Sequence, residues 1–284
     1  MTDWDDWIGR EVRQSDVLNQ ALASRWLAAL DRDPYADGIV PEGIHFCLCT
    51  PETSTVQLGE DGHPGRDNSA DSFFPPIPLP RRMWAASTIG FLAPLSIGAK
   101  VDRISRIASV SEKDGRTGKL GFVEVEHTTV SDGAQAIREK QTLVYREAIA
   151  PDAPLTPPQA EPTAFDESTW DHVHVVTPSE TLLFRYSALT FNTHRIHYDL
   201  PYARDVERYR GLVVHGPLIA TLLLGIVAER HGPNQTGSFA FRAISPAIAG
   251  EPLHLAIRQN DNALELGAFA SDGRQTLTAT AQLR

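Results

Sequence analysis

Cysteine is scarce in this chain: Cys47 and Cys49 are the only two in 284 residues. Residues that close rarely bond to each other, which argues against a disulfide framework. Both read as buried reduced thiols. Long apolar runs are also missing. The longest, Leu218 to Ala228, falls short of the roughly 20 residues a membrane-spanning helix needs. The opening Met-Thr-Asp-Trp-Asp-Asp-Trp lacks the basic and then apolar run of a secretory signal. A cytoplasmic protein with no membrane partner is the expectation. Basic charge is deficient too, with 26 Lys and Arg against 36 Asp and Glu, a net charge of −10. A nucleic-acid partner is therefore not expected. An anionic small molecule stays possible, because Arg204, Arg208 and Arg210 concentrate positive charge locally.

What is present suits a packed core, with a hydrophobic fraction of 42%. Segment 151–163 holds five prolines and reads as an extended, solvated linker. The sequence on either side of it looks duplicated. Pro94-Leu-Ser-Ile-Gly98 recurs as Pro246-Ala-Ile-Ala-Gly250, and Ser131-Asp-Gly133 recurs as Ser271-Asp-Gly273. Each Pro-x-x-x-Gly leads into an alternating run, and each Ser-Asp-Gly marks a turn between two such runs. The runs Val101–Val110, Gly121–Val130, Ile137–Arg146, Leu253–Gln259, Leu264–Ala270 and Thr276–Leu283 read as antiparallel strands.

Two helices stand out. Ser15–Leu30 carries an apolar stripe, with Ser15 as its expected N-cap. Pro217–Arg230 is apolar nearly all round, so something must enclose it. Pro217 suits its first turn and Gly232 its exit. An antiparallel sheet wrapped around this helix is the hot-dog arrangement. The first half shows no equally clear enclosed helix, and segment 41–92 departs from the repeat.

Chemistry concentrates in Asn192-Thr-His194-Arg-Ile-His197-Tyr-Asp199 and in Val214-His215-Gly216-Pro217. The first offers an amide, two imidazoles and a carboxylate. The second opens a helix on a glycine whose N–H is free to meet an oxyanion. Taken singly, Asn192 can cap a turn, His197 can be a half-buried histidine, and Gly216 can be a plain helix start. Read together beside a wholly buried helix, they make a site for adding water to, or removing it from, a thioester-activated double bond. Zinc ligation by His172-x-His174 or His194-x-x-His197 lacks third and fourth ligands at the usual spacing, so no metal is expected.

The pattern Phe184-x-Tyr186, Asn192, His197-x-Asp199, His215-Gly216 and Phe241-Arg242 resembles the second hot-dog domain of the MaoC-like hydratases and dehydratases. Pro80-Arg81-Arg82-Met83-Trp84-Ala85 is similar to the N-terminal half of their double hot-dog members. The nearest resemblance is to the 3-methylfumaryl-CoA (mesaconyl-CoA) and itaconyl-CoA hydratases, which make citramalyl-CoA. It implies an α+β tandem hot-dog: residues 1–150 with a degenerate site, a 151–166 linker, and a catalytic 167–284. It implies an acyl-CoA thioester substrate, no separate cofactor, and a homo-oligomer. Asn192, His197 and Gly216 are the implied catalytic residues, although many relatives carry Asp where this chain has Asn192. An amide can orient water but cannot take its proton, so His197 must. Asp199 would polarise His197 or act as a second acid. For the free carboxylate of a short dicarboxylic acyl group, Arg82, Arg185, Arg195 and Arg242 are the candidate ligands, and Arg204, Arg208 and Arg210 for CoA phosphates. The competing readings are a straight-chain enoyl-CoA hydratase or hydroxyacyl-carrier-protein dehydratase, a hot-dog thioesterase, and a non-catalytic acyl-binding module.

Overall fold

Period-two alternation makes the strands, and glycine-bearing turns set where they reverse. The computed structural model describes residues 4–34, 38–115, 118–158 and 165–284. The first half contains β1 (Glu11–Val17), α1 (Gln20–Ala29), β2 (Ile39–Val40), β3 (Arg81–Phe91), β4 (Leu95–Ser96), β5 (Lys100–Gly115), β6 (Gly118–Ser131) and β7 (Ala134–Arg146). The second contains β8 (His172–Val176), α2 (Glu180–Thr190), α3 (Leu200–Asp205), α4 (Gly216–His231), β9 (Thr236–Ala243), β10 (Leu253–Asn260), β11 (Ala263–Ala270) and β12 (Gln275–Leu283).

Ten strands form one sheet in the order β1-β5-β6-β7-β3-β9-β12-β11-β10-β8. Read outward from the β3–β9 junction, the two halves repeat: β7 answers β12, β6 answers β11, β5 answers β10, and β1 answers β8. The duplicated motifs occupy equivalent turns. Asp132 and Gly133 take left-handed conformations between β6 and β7, as Gly273 does between β11 and β12. This is the expected α+β double hot-dog.

Helix α4 is the enclosed one. Leu218, Ala220 and Leu223 are fully buried, and the helix packs against β9, β10, β11 and β12. Among the described residues, no α-helix packs in the equivalent place against β5, β6 and β7. Helix α1 instead packs beside α2, with Trp26 and Thr221 of α4 flanking Gly43. The inner face of the first half is covered by irregular segment 41–79, which leaves a large cavity.

Three expectations need correction. The first helix starts at Gln20, capped by Asn19, whose side chain accepts from Leu22 N at 2.9 Å. Ser15 belongs to β1, where pairing with β5 overrides the apolar stripe and its hydroxyl bonds Asp102. A further helix, α2, was not expected. Its signals are a Ser179 cap and a face of Leu182, Leu183, Tyr186 and Leu189. The linker is not simply solvated: Thr156 N donates to Arg208 O at 2.7 Å and Arg210 N donates to Thr156 O at 3.0 Å. Its residues 159–164 lie outside the described residues.

Candidate active site

Helix α2 ends where Phe191 takes a left-handed conformation, and the chain turns through a short 3-10 helix, Arg195–His197, into α3. The segment is therefore coiled. This places Asn192, His194 and His197 on the wall of a cavity of about 1170 Å³, together with His215 and Gly216 at the start of α4. The cavity also takes in Arg82, Trp84 and Tyr145 from the first half, so both halves build it.

His197 donates from Nδ1 to Val213 O at 2.7 Å, which fixes the proton on Nδ1 and leaves Nε2 as the acceptor. Its ring stacks on His215, with centroids 3.6 Å apart. His215 is the N-cap residue of α4, and its Nε2 meets Ser187 Oγ at 2.9 Å. The two rings hold each other in place. Burial pulls His197 down to about 4, against a smaller upward pull from the Val213 carbonyl, so it is a neutral base at pH 7. Burial likewise holds His215 well below the ordinary histidine value.

Asn192 Oδ1 accepts from His194 N at 3.0 Å. Its amide nitrogen is then the group left to donate to a water oxygen. Gly216 is the first residue of α4, so its N–H has no partner within the helix. A Cβ at this position would meet nothing within 4 Å, which shows open space in front of the backbone. The donor sits at the positive end of a buried helix, which suits a developing oxyanion.

Sequence reasoning missed the contribution of segment 59–65. Arg195 N donates to Asp61 O at 2.9 Å, and Thr193 Oγ1 to Gly62 O at 2.5 Å. This seats His63 against His194, with ring centroids 4.1 Å apart. His63 Nδ1 also bonds Asp61 Oδ2 at 2.9 Å. Burial would raise the Asp61 carboxyl, but the bond and charge of His63 outweigh it and hold it low. Asp61, His63 and His194 are the described residues whose ligand atoms cluster closely enough to share a divalent ion, within 4.8 Å of one another. The only sequence signal was the Asp-Gly-His spacing in a loop with no other clear role.

The arginines separate sharply. Arg82 lines the cavity and has no acidic partner among the described residues. Its neighbour Arg81 is neutralised by Glu207 at 2.6 Å. Arg185 and Arg242 are exposed and outside the lining, on α2 and β9. Arg195 pairs with Asp199 at 2.7 Å, also outside the lining. Asp199 is thereby removed from His197: it caps α3 through Tyr202 N at 3.1 Å and does not polarise the imidazole. Arg204 is exposed, and Arg208 donates from Nε to Ala153 O at 2.8 Å, tying down the linker. Arg210 is paired with Glu251, and none of the three lines the cavity.

Several buried histidines make a pH prediction. His45, His127 and His197 are neutral in the fold, lowered by burial to about 3, 4 and 4. The unfolded chain protonates these groups nearer the ordinary value of about 6.5. It therefore binds more protons than the native state below that pH, so stability falls as pH drops from 6.5 toward 4. Glu139, raised by burial to about 7, opposes this between pH 7 and its unfolded value. Thermal melts from pH 7 to 4 should show a net fall in Tm that His127→Gln makes shallower. An unchanged slope in that variant would sink the assignment of His127 to the loss.

A family profile described as hydroxyacyl-thioester dehydratase type 2 matches residues 43–249. The mesaconyl-C(4)-CoA hydratase of Chloroflexus aurantiacus is 41% identical over 284 residues, covering 99% of this chain and 98% of that protein. Among solved structures, HtdX of Mycobacterium tuberculosis superposes with a TM-score of 0.70 at 17% identity, covering 97% of this chain and all of that one. A second Mycobacterium tuberculosis protein, described as having a double hotdog fold, gives a TM-score of 0.58 at 13% identity, covering 98% and 96%.

Proposed function

The chain belongs to the hydroxyacyl-thioester dehydratase type 2 family and is a hydro-lyase of the MaoC type, and on that premise we propose that it hydrates a short branched dicarboxyl-CoA. The substrate of this reading is 3-methylfumaryl-CoA (mesaconyl-CoA) or itaconyl-CoA, and the product citramalyl-CoA. Coenzyme A enters as part of the substrate, and no separate cofactor is needed. The 41% identical relative over the full chain supports the substrate class. The observation that carries it is Arg82: an uncompensated guanidinium in the cavity of the catalytic histidine. A second carboxylate on the acyl group is the natural partner for such a charge.

In this mechanism, written for 3-methylfumaryl-CoA, whose double bond is conjugated with the thioester, the substrate carbonyl sits over the Gly216 N–H. Asn192 holds a water through its amide, and His197 Nε2 removes one proton as the oxygen bonds the β-carbon. The π electrons move to the thioester oxygen, and the resulting enolate is held by the Gly216 N–H and the end of α4. His197 then returns its proton to the α-carbon. One neutral base serves both steps, consistent with an amide at 192.

The thioesterase reading has little support. The only acid in residues 216–230 is Glu229, at the far end of α4, roughly 20 Å along the axis from Gly216. No described helix is long and apolar enough to cross a membrane. A cytoplasmic homo-oligomer of such internally paired chains completes the proposal.

Arg82→Met tests the substrate assignment. It should lower kcat/KM for the dicarboxyl-CoA by about 100-fold, the scale of a lost charge-assisted contact. Turnover of crotonyl-CoA, which has no second carboxylate, should change little. Equal losses on both substrates would remove Arg82 from carboxylate recognition.

A further inference from the structure

The inner end of the cavity is a polar cluster that the hydration mechanism does not use. Register places Ser105 of β5 beside His127 of β6, and His127 beside Glu139 of β7. His127 is satisfied, through Ser105 Oγ at 2.8 Å and Gln141 Oε1 at 3.3 Å. Trp84 Nε1 donates to Ser87 Oγ at 2.9 Å, and Ser87 Oγ donates to Glu139 Oε1 at 2.5 Å. Two neighbours are not satisfied. His45 is only 6% exposed, and neither ring nitrogen has a hydrogen-bond partner; Arg103 Nε is likewise buried and unpartnered. Apart from Ser87, these side chains line the same cavity as His197.

This face is where a central helix would pack if the first half copied the second. One step further along the strands it is apolar, with Ile107, Val125 and Leu143. Apolar filling was therefore available to it. Buried polar atoms without partners are costly and persist where something else satisfies them. The cavity, at about 1170 Å³, also exceeds the roughly 300–1,000 Å³ of ordinary ligand clefts. There is room beyond a five-carbon acyl group.

We propose that His45, Arg103 and Glu139 form a subsite for the oxygen-bearing far end, hydroxyl or carboxyl, of an acyl chain longer than five carbons. The enzyme then hydrates 2-enoyl-CoAs whose tail ends in oxygen, in addition to short dicarboxyl substrates. This rests on the hydro-lyase activity but not on the choice of a five-carbon substrate. Arg103 Nε–H and a His45 N–H donate to the terminal oxygen, and Glu139 accepts from a hydroxyl or shares a proton with a carboxyl. A methyl terminus would leave the His45 ring nitrogens and Arg103 Nε unmet.

The test is hydration of three eight-carbon 2-enoyl-CoAs ending in methyl, hydroxyl or carboxyl, with crotonyl-CoA as the short reference. Wild type should favour an oxygen-ended chain over the methyl-ended one by about tenfold or more in kcat/KM. His45→Phe, which keeps an aromatic ring and removes both nitrogens, should erase that preference and leave crotonyl-CoA turnover intact. Equal use of all three tails by wild type overturns the proposal, as does a uniform loss on every substrate in His45→Phe. Should that variant not fold, Glu139→Gln must change the ratio of hydroxyl- to carboxyl-ended turnover; an unchanged ratio overturns the proposal. Hydration of the eight-carbon oxygen-ended chains without hydration of mesaconyl-CoA would sink the five-carbon assignment and leave this subsite standing.

Discussion

His197→Ala is expected to lower kcat by about 10²–10⁴-fold, the range for removing a positioned acid–base group. The variant loses the only neutral imidazole that is fixed by the Val213 carbonyl at 2.7 Å and stacked on His215 at 3.6 Å. KM should move less than kcat, because the imidazole contacts the reacting water more than the bound thioester. The fold should survive, since the ring borders a cavity that water can fill. Loss of the conjugated-thioester absorbance measures turnover, and a thermal melt reports folding. A folded variant that retains wild-type kcat would mean that the proton transfer belongs elsewhere, and His63 would be the first group to examine.

Gly62→Ala should be nearly as damaging, by another route. Gly62 has φ +85°, and a Cβ there would overlap the Thr193 carbonyl oxygen. The left-handed conformation costs a side chain about 1–2 kcal/mol. Overpacking adds about 1–3 kcal/mol unless the backbone moves. Movement would pull segment 59–65 off the 192–199 loop and break the Thr193 and Arg195 bonds to it. A lower Tm together with reduced kcat is the expected pair of results. Wild-type values for both would show that this close approach is not needed. Gly216→Ala has room for its Cβ and keeps its N–H, so the same change there should leave stability nearly intact.

These two glycines also show how differently the sequence exposed its own site. Gly216 was legible because it precedes proline and opens an apolar run, a local signal of a helix start. Gly62 gave no such signal, because its role depends on a carbonyl 131 positions away. The arginines follow the same division. Composition and local motifs offered Arg82, Arg185, Arg195 and Arg242 on equal terms. Arg195 goes to Asp199 four positions on, a local pair, whereas only tertiary placement left Arg82 in the cavity without an acidic partner among the described residues. The coiling of 192–199 was equally hidden, since the polar residues there carry no periodicity from which a 3-10 turn could be read.

The sequence by itself determined the duplicated strands and the enclosed helix α4, and it singled out Asn192, His197 and Gly216 as site candidates. Those follow from alternation, an unbroken apolar helix surface and short-range motifs, all encoded within a few residues of one another. Tertiary structure alone decided that Asp61 and His63 join the histidine cluster and that the inner face of the first half stays polar and open. Each of these depends on which strands and loops meet, and contacts between distant segments are set by the packing of the whole chain.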